Sequence, residues 1–135
     1  MTTRQGFKEI EHTADAALHV WGRTLPEMFR QAALGIYALA EVQVDDTSPV
    51  RRSIRLQADD LETLLVNFLS ELLFFIDEGF LFQISELQID QNQLDAKLSG
   101  KHIARLQKEI KAVTFHQMHI IRSNNCFQTD IVLDI

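Results

Sequence analysis

The spacing of apolar and polar positions changes period several times along this chain, and each change marks an element. Ala16, Leu18 and Val20 alternate with Ala17, His19 and Trp21. That period of two predicts a strand over about Asp15 to Trp21, ended by Gly22. Thr24-Leu25-Pro26-Glu27 then reads as a capping box: Thr24 caps, Pro26 sits in the first turn and Glu27 reaches back. The helix should run to about Ala40. Its stripe of Leu25, Met28, Phe29, Ala32, Ala33, Ile36, Tyr37 and Ala40 has the 3.6-residue spacing of one helical face. Val42 to Val50 is acidic, contains Ser48-Pro49 and reads as a loop. Ile54, Leu56 and Ala58 alternate with Ser53, Arg55 and Gln57, predicting a strand with one wet face. Asp59 or Asp60 caps a second helix, which reaches about Asp77 and stops at Gly79. Only Thr63, Asn67, Ser70, Glu71 and Asp77 or Glu78 interrupt its apolar surface, so it should be nearly buried.

The remainder is strand-like. Phe80, Phe82 and Ile84 alternate, then Leu87 and Ile89, and the change of phase near Ser85-Glu86 predicts a bulge or bend. Asp90-Gln91-Asn92-Gln93 turns the chain into Leu94, Ala96 and Leu98, completing a hairpin. Gly100 to Lys108 reads as a basic, mobile connection, and Ile110 to Arg122 as one long strand-like segment. Ser123-Asn124-Asn125 turns into a last strand, Phe127 to Asp134. The order β-α-β-α-β-β-β-β, with short turns between the late strands, predicts an α+β fold. Two helices would pack on a largely antiparallel or mixed sheet, as one domain over residues 1–135.

Composition narrows the function classes. With 46% hydrophobic residues the chain can build a core and is not of the disordered class. Its formal charge of −6 argues against a broad phosphate-binding face, so no direct nucleic-acid binding is expected. The single Cys126 can form no internal disulfide and no zinc-type spacing exists, which fits a reducing cytoplasm. Met1 to Glu11 lacks the apolar core of a signal peptide. The most apolar stretch, Leu64 to Ile76, is too short to span a bilayer and carries Asn67 and Glu71, so no membrane role is expected.

Two acidic positions carry the candidate chemistry. Asp15 closes the run His12-Thr13-Ala14-Asp15 and opens a strand. It is either a metal ligand at a strand end or a turn carboxylate bonded to nearby backbone N–H groups. Asp134-Ile135 ends the apolar run that starts at Phe127. Alternation would let Ile135 anchor inward with Ile131 and Leu133 while Asp134 looks outward, and the α-carboxylate would follow the same strand end. Carboxylates about 4 Å apart repel by roughly 4 kcal/mol per pair at an effective dielectric of 20. If these groups converge, they need a cation, a proton or basic neighbours, and hard divalent cations bind such oxygen clusters. The alternative is an ordinary last strand with a solvated end.

Other chemistry finds less support. His116 and His119 are three apart, which on a strand places them on opposite faces, and no H-E-x-x-H or H-x-H motif occurs. Cys126 has no histidine nearby in sequence, and Gly100-Lys101 lacks the preceding glycine of a phosphate loop. Lys101, Arg105, Lys108 and Lys111 form a basic stretch that fits a solvated loop or an acidic partner. Asn67 and Glu71, four apart on one helix face, should need partners and could hold the Asp15 turn or a sheet edge.

Several segments together resemble the archease family. They are His12-Thr13-Ala14-Asp15; Gly22 to Phe29 with Ala32-Ala33; Leu64-Leu65-Val66 through Glu71-Leu72-Leu73; Ile110-Lys111-Ala112-Val113-Thr114-Phe115-His116; and Asp134-Ile135. The sequence departs from the family pattern at Phe115, where Tyr is common, at Ser70, where Asn is common, and at Phe127, which stands for a Trp. The resemblance implies a metal-binding accessory factor of the RtcB-type RNA-splicing ligase, one that promotes its GTP-dependent guanylylation and repeated turnover. It implies that Asp15, Asp134 and Ile135 bind a divalent metal ion, Ca²⁺ in crystals and Mn²⁺ or Mg²⁺ in function. The chain itself would be no enzyme. The alternative is a general protein-binding modulator or chaperone of RNA-modifying enzymes such as a tRNA methyltransferase. A small metal-dependent hydrolase is the third reading, and no base or nucleophile constellation near the acidic residues supports it.

Overall fold

A computed structural model of the chain describes residues 4–10, 16–115 and 117–135. It is an α+β fold of two helices and two antiparallel sheets. The strands are β1 (Gly6–Ile10), β2 (Ala16–Gly22), β3 (Val42–Val44), β4 (Val50–Gln57), β5 (Phe80–Asp90), β6 (Gln93–Leu106), β7 (Ala112–Thr114), β8 (Ile121–Ser123) and β9 (Cys126–Asp134). The helices are α1 (Leu25–Ala40) and α2 (Leu61–Asp77). The first sheet runs β1-β2-β9-β7, with β8 also paired to β9. In the second, β6 lies between β5 and β4, and β3 pairs with its far half.

Local chemistry sets both helices. Thr24 Oγ1 accepts the Glu27 N–H, and the Glu27 carboxylate accepts the Arg23 N–H at 2.8 Å, one residue before the reciprocal partner of a standard capping box. Asp60 is the cap of α2, accepting the Thr63 N–H at 2.7 Å. Met28, Phe29, Ala32, Ala33 and Ile36 of α1 are buried, as their spacing predicts. In α2 the predicted polar stripe faces water: Asn67 and Ser70 are exposed and Glu71 is half-buried. Asn67 is therefore a surface residue rather than a buried group in need of a partner.

The helices join the two sheets through one core. Leu18, Val20, Ile131 and Leu133 of the first sheet share it with Phe82, Leu94 and Leu98 of the second, around Phe29 and Phe68. The Phe29 and Phe68 rings lie 5.9 Å apart. Tyr37 on α1 donates its hydroxyl to the Phe82 carbonyl at 2.6 Å, and Arg30 donates to the Ile84 carbonyl. These bonds tie α1 to the second sheet while its other side covers the first. Burial pushes the Tyr37 phenol well above its ordinary range.

The α+β class and the antiparallel pairing are as expected, and every strand pair among the described residues is antiparallel. Four details differ. The strands form two sheets rather than one. The predicted acidic loop contains a strand: Val42 and Val44 pair with Leu106 and Ile103. The predicted mobile connection is the second half of β6. Phe80 pairs with His102 on one side, the Gly79 carbonyl accepts the Ile103 N–H, and the His102 carbonyl accepts the Asp45 N–H on the other. Backbone pairing from both sides holds a stretch whose side chains show no strand alternation. The long strand predicted over Ile110 to Arg122 is two short ones. The described residues between β7 and β8 leave the sheet, with Gln117 at φ 50° and the Met118 N–H bonded to the Phe115 carbonyl. Thr129 donates to the His119 carbonyl and the Glu62 carboxylate accepts the Ile120 N–H, so long-range bonds pin this excursion. One strand, β1, was not anticipated; its five residues are too few to show a period. The bulge expected near Ser85-Glu86 is present, between Ile84 and Glu86.

Candidate functional site

The end of β9 lies between two neighbours. Leu133 is paired with Ala16 of β2 on one side and Val113 of β7 on the other; Asp134 is paired with Ala112. The Lys111 N–H donates to the Asp134 carbonyl at 2.7 Å. That bond occupies the main-chain oxygen and leaves the exposed side-chain carboxylate for other work. Ile131 and Leu133 are fully buried beneath the helices. Ile135 is not: it is 53% exposed, so the expected inward anchor is corrected. Among the described residues, the core layer under this strand ends with Leu133, and no pairing beyond Lys111 and Asp134 continues the ladder over the last residue.

Asp15, His12 and His116 lie outside the described residues. Among the described residues, no three His, Cys, Asp or Glu side chains form a group able to hold a metal ion. Asp134 and Ile135 are thus the described part of the predicted ligand set, and their donors are oxygens, the class that hard cations take. The other singled-out side chains are elsewhere. His119 is exposed in the excursion between β7 and β8, and His102 stacks on Phe80 with centroids 4.5 Å apart. The Cys126 thiol contacts the Phe127 carbonyl. Lys101 and Arg105 belong to β6 rather than a loop.

A second feature went unread in the sequence. The outer face of the first sheet holds a cavity of about 790 Å³. Arg4, Lys8 and Arg23 supply cations to its lining, and His19 and Trp21 supply rings. Asn124, Asn125 and Gln128 complete much of the rim. His19 Nδ1 lies 2.6 Å from Asp130 Oδ1, on the next strand, and its ring is 5.6 Å from that of Trp21. The available signal was the outward phase of β2, which carries His19 and Trp21 where a solvated strand more often carries charges. What hid the feature is that, apart from Arg23 just past β2, its other residues come from two separate segments, Arg4 to Lys8 and Ser123 to Gln128.

Comparison with known proteins agrees with this architecture. The sequence model of the Archease protein family (MTH1598/TM1083) matches residues 7–135. A protein archease of Saccharolobus islandicus (strain Y.G.57.14 / Yellowstone #1) is 36% identical over 143 residues, covering 97% of this chain and 99% of the relative. One from Methanothermobacter thermautotrophicus is 32% identical over 143 residues, covering 97% of this chain and 99% of its own length. The solution structure of Methanobacterium thermoautotrophicum protein 1598 superimposes with a TM-score of 0.71 at 27% identity, covering 96% of this chain and 99% of that one. The crystal structure of a Thermotoga maritima archease, described as a possible chaperone, shares the fold with a TM-score of 0.72 at 22% identity, covering 95% and 96%. The match across nearly all of the sequence, with the same fold beneath it, means that the chain belongs to the archease family.

Proposed function

We propose that this protein is a metal-binding accessory factor that activates an RtcB-type RNA-splicing ligase, promoting its GTP-dependent guanylylation and multiple turnover. Asp15, Asp134 and the Ile135 carboxylate are the ligands of a divalent cation. The observation that carries this reading is the β2–β9 register. Ala16 pairs with Leu133. In the sequence Asp15 precedes Ala16 and Asp134 follows Leu133. Antiparallel pairing draws the two ends of the described core to within a strand spacing, about 5 Å.

The donor set suits Ca²⁺, Mn²⁺ or Mg²⁺, since all its ligands are carboxylate oxygens. When bound, the cation offsets the repulsion among these carboxylates and presents a Lewis-acidic centre. The chain's own contribution is placement. The Lys111–Asp134 backbone bond and the flanking strands β2 and β7 hold the end of β9, and the Asp134 side chain remains exposed for a partner to approach. A net charge of −6 favours encounter with a basic, RNA-binding partner. As an accessory factor it shifts the ligase between states only by its differential affinity for them.

The test is a turnover count with ligase, GTP, Mn²⁺ and excess RNA ends. Stimulation should disappear in Asp15→Ala and in Asp134→Ala while both variants stay folded. A tag fused after Ile135 converts its carboxylate to an amide, so calorimetry should show weaker Mn²⁺ binding than for an N-terminally tagged protein. Equal affinity of the two would remove Ile135 from the ligand set. A second reading, a protein-binding modulator or chaperone of RNA-modifying enzymes, draws on the exposed apolar residues Phe115, Ile121 and Ile135 around β9, each more than half exposed. Stimulation unchanged in both aspartate variants would favour it.

A further inference from the structure

We propose that the outer face of the first sheet is a binding site for a single nucleotide, its base stacked on Trp21 and its phosphate held by Arg4, Lys8 and Arg23. This does not depend on the metal site or on the ligase.

Strand register builds the site. Gly6, Trp21 and Gln128 form one row across β1, β2 and β9, and Lys8, His19 and Asp130 form the next. Paired residues share a face of the sheet, so both rows face the same way. Gly6 leaves room for the indole to lie across β1: a Cβ there would stand 2.4 Å from Trp21 Cζ2. The ring is thereby laid along the sheet as a platform. His19 extends it, tilted 30° from the indole, and the 2.6 Å contact to Asp130 sets the orientation of the imidazole. Every nucleobase has a face that can stack on an aromatic ring of this kind.

Charge and size select the ligand. Among the described lining residues three are Arg or Lys and none is Asp or Glu, and the Asp130 carboxylate on the same face is engaged by His19. Glu27 stands 3.8 Å from Arg23 and partly offsets it, which leaves Arg4 and Lys8 as the principal phosphate contacts. A cavity of about 790 Å³ lies within the range of small-molecule sites. A long polyanion would meet the repulsive field of the whole protein, whereas one nucleotide meets only the local cations. The amides of Asn124, Asn125 and Gln128 offer donors and acceptors to the base edge.

Trp21 is the only tryptophan, so its fluorescence reports on this site alone. The probes are adenosine monophosphate, adenosine, inorganic phosphate and an oligoadenylate of about ten nucleotides. Adenosine monophosphate should quench saturably with a dissociation constant at or below about 1 mM, matched by calorimetry. Adenosine and phosphate should each bind at least about tenfold more weakly. Joint Arg4→Glu and Lys8→Glu replacement, both at exposed positions, should weaken the nucleotide by at least about tenfold with the circular dichroism unchanged. Trp21→Phe, which keeps a stacking face, should retain binding by calorimetry. The proposal is overturned if adenosine monophosphate does not bind saturably, or if phosphate binds as tightly, which would mean an anion spot only. Binding of the oligoadenylate alone, or full binding by the charge-reversed variant, would overturn it equally.

Discussion

Asp60 shows how much one side chain can decide. Its carboxylate accepts the Thr63 backbone N–H, which holds its pKa below the ordinary aspartate range. Asp95 is lowered by the Arg55 guanidinium and then by the Gln93 amide, and Asp45 by the Thr47 hydroxyl and then its N–H. A depressed folded pKa stabilises the fold above the unfolded carboxylate value, about 3.9, and that contribution disappears as the pH falls through the folded value. Stability should therefore decline as the pH falls below roughly 4. In Asp60→Asn the cap oxygen remains but no longer titrates, so thermal melts across this window should show a shallower decline. An identical slope would mean that Asp60 does not contribute. Asp60 could be found in the sequence by its cap position, and Asp45 by its place in the acidic stretch before Ser48-Pro49. The Arg55–Asp95 pair could not, because it needs the β4–β6 register.

At the level of elements, legibility followed the range of the forces. Both helices were predictable because a cap and an apolar stripe lie within each segment, and Gly79 marks the stop of the second. The two-residue turns were equally local: Gln91-Asn92 and Asn124-Asn125 all have positive φ, the geometry of the tight hairpin turn that asparagine tolerates. Asn125, at φ 59°, gives a direct test. Asn125→Val should cost about 1 kcal/mol or more in urea denaturation, because a β-branched residue is strained there, whereas Asn125→Gly should be neutral or stabilising. The second half of β6 and the division into β7 and β8 were not legible. Their strand character comes from partners distant in sequence, β3 and β5 for the one and β9 for the other. Side-chain alternation is a weak guide wherever backbone pairing is supplied from elsewhere.

At the scale of the whole molecule, the two sheets have one core between them. Phe68, fully buried on α2, packs against Phe29 of α1. Phe68→Ala should cost about 4 kcal/mol, the usual range for emptying an aromatic site. It should lower hydrogen-exchange protection in both sheets together. Loss confined to one sheet would mean that the helices do not couple them. The same closure sets β2 beside β9, although the two come from opposite ends of the sequence and meet only in the folded sheet. Asp134 and Asp15 could be nominated from the sequence as acidic strand ends. That β2 and β9 are neighbours could not.

By itself the sequence determined both helices, their caps, the tight turns, the bulge in β5, the family and the acidic candidates. Each of these depends on residues a few positions apart or on a pattern that survives without contacts. Only the tertiary structure decided that there are two sheets, that a basic stretch extends β6, that Ile135 stays exposed, and that Arg4, Lys8, Trp21 and Arg23 border one cavity. These follow from register between distant strands, and pairing energy reads backbone partners that no local window of sequence contains.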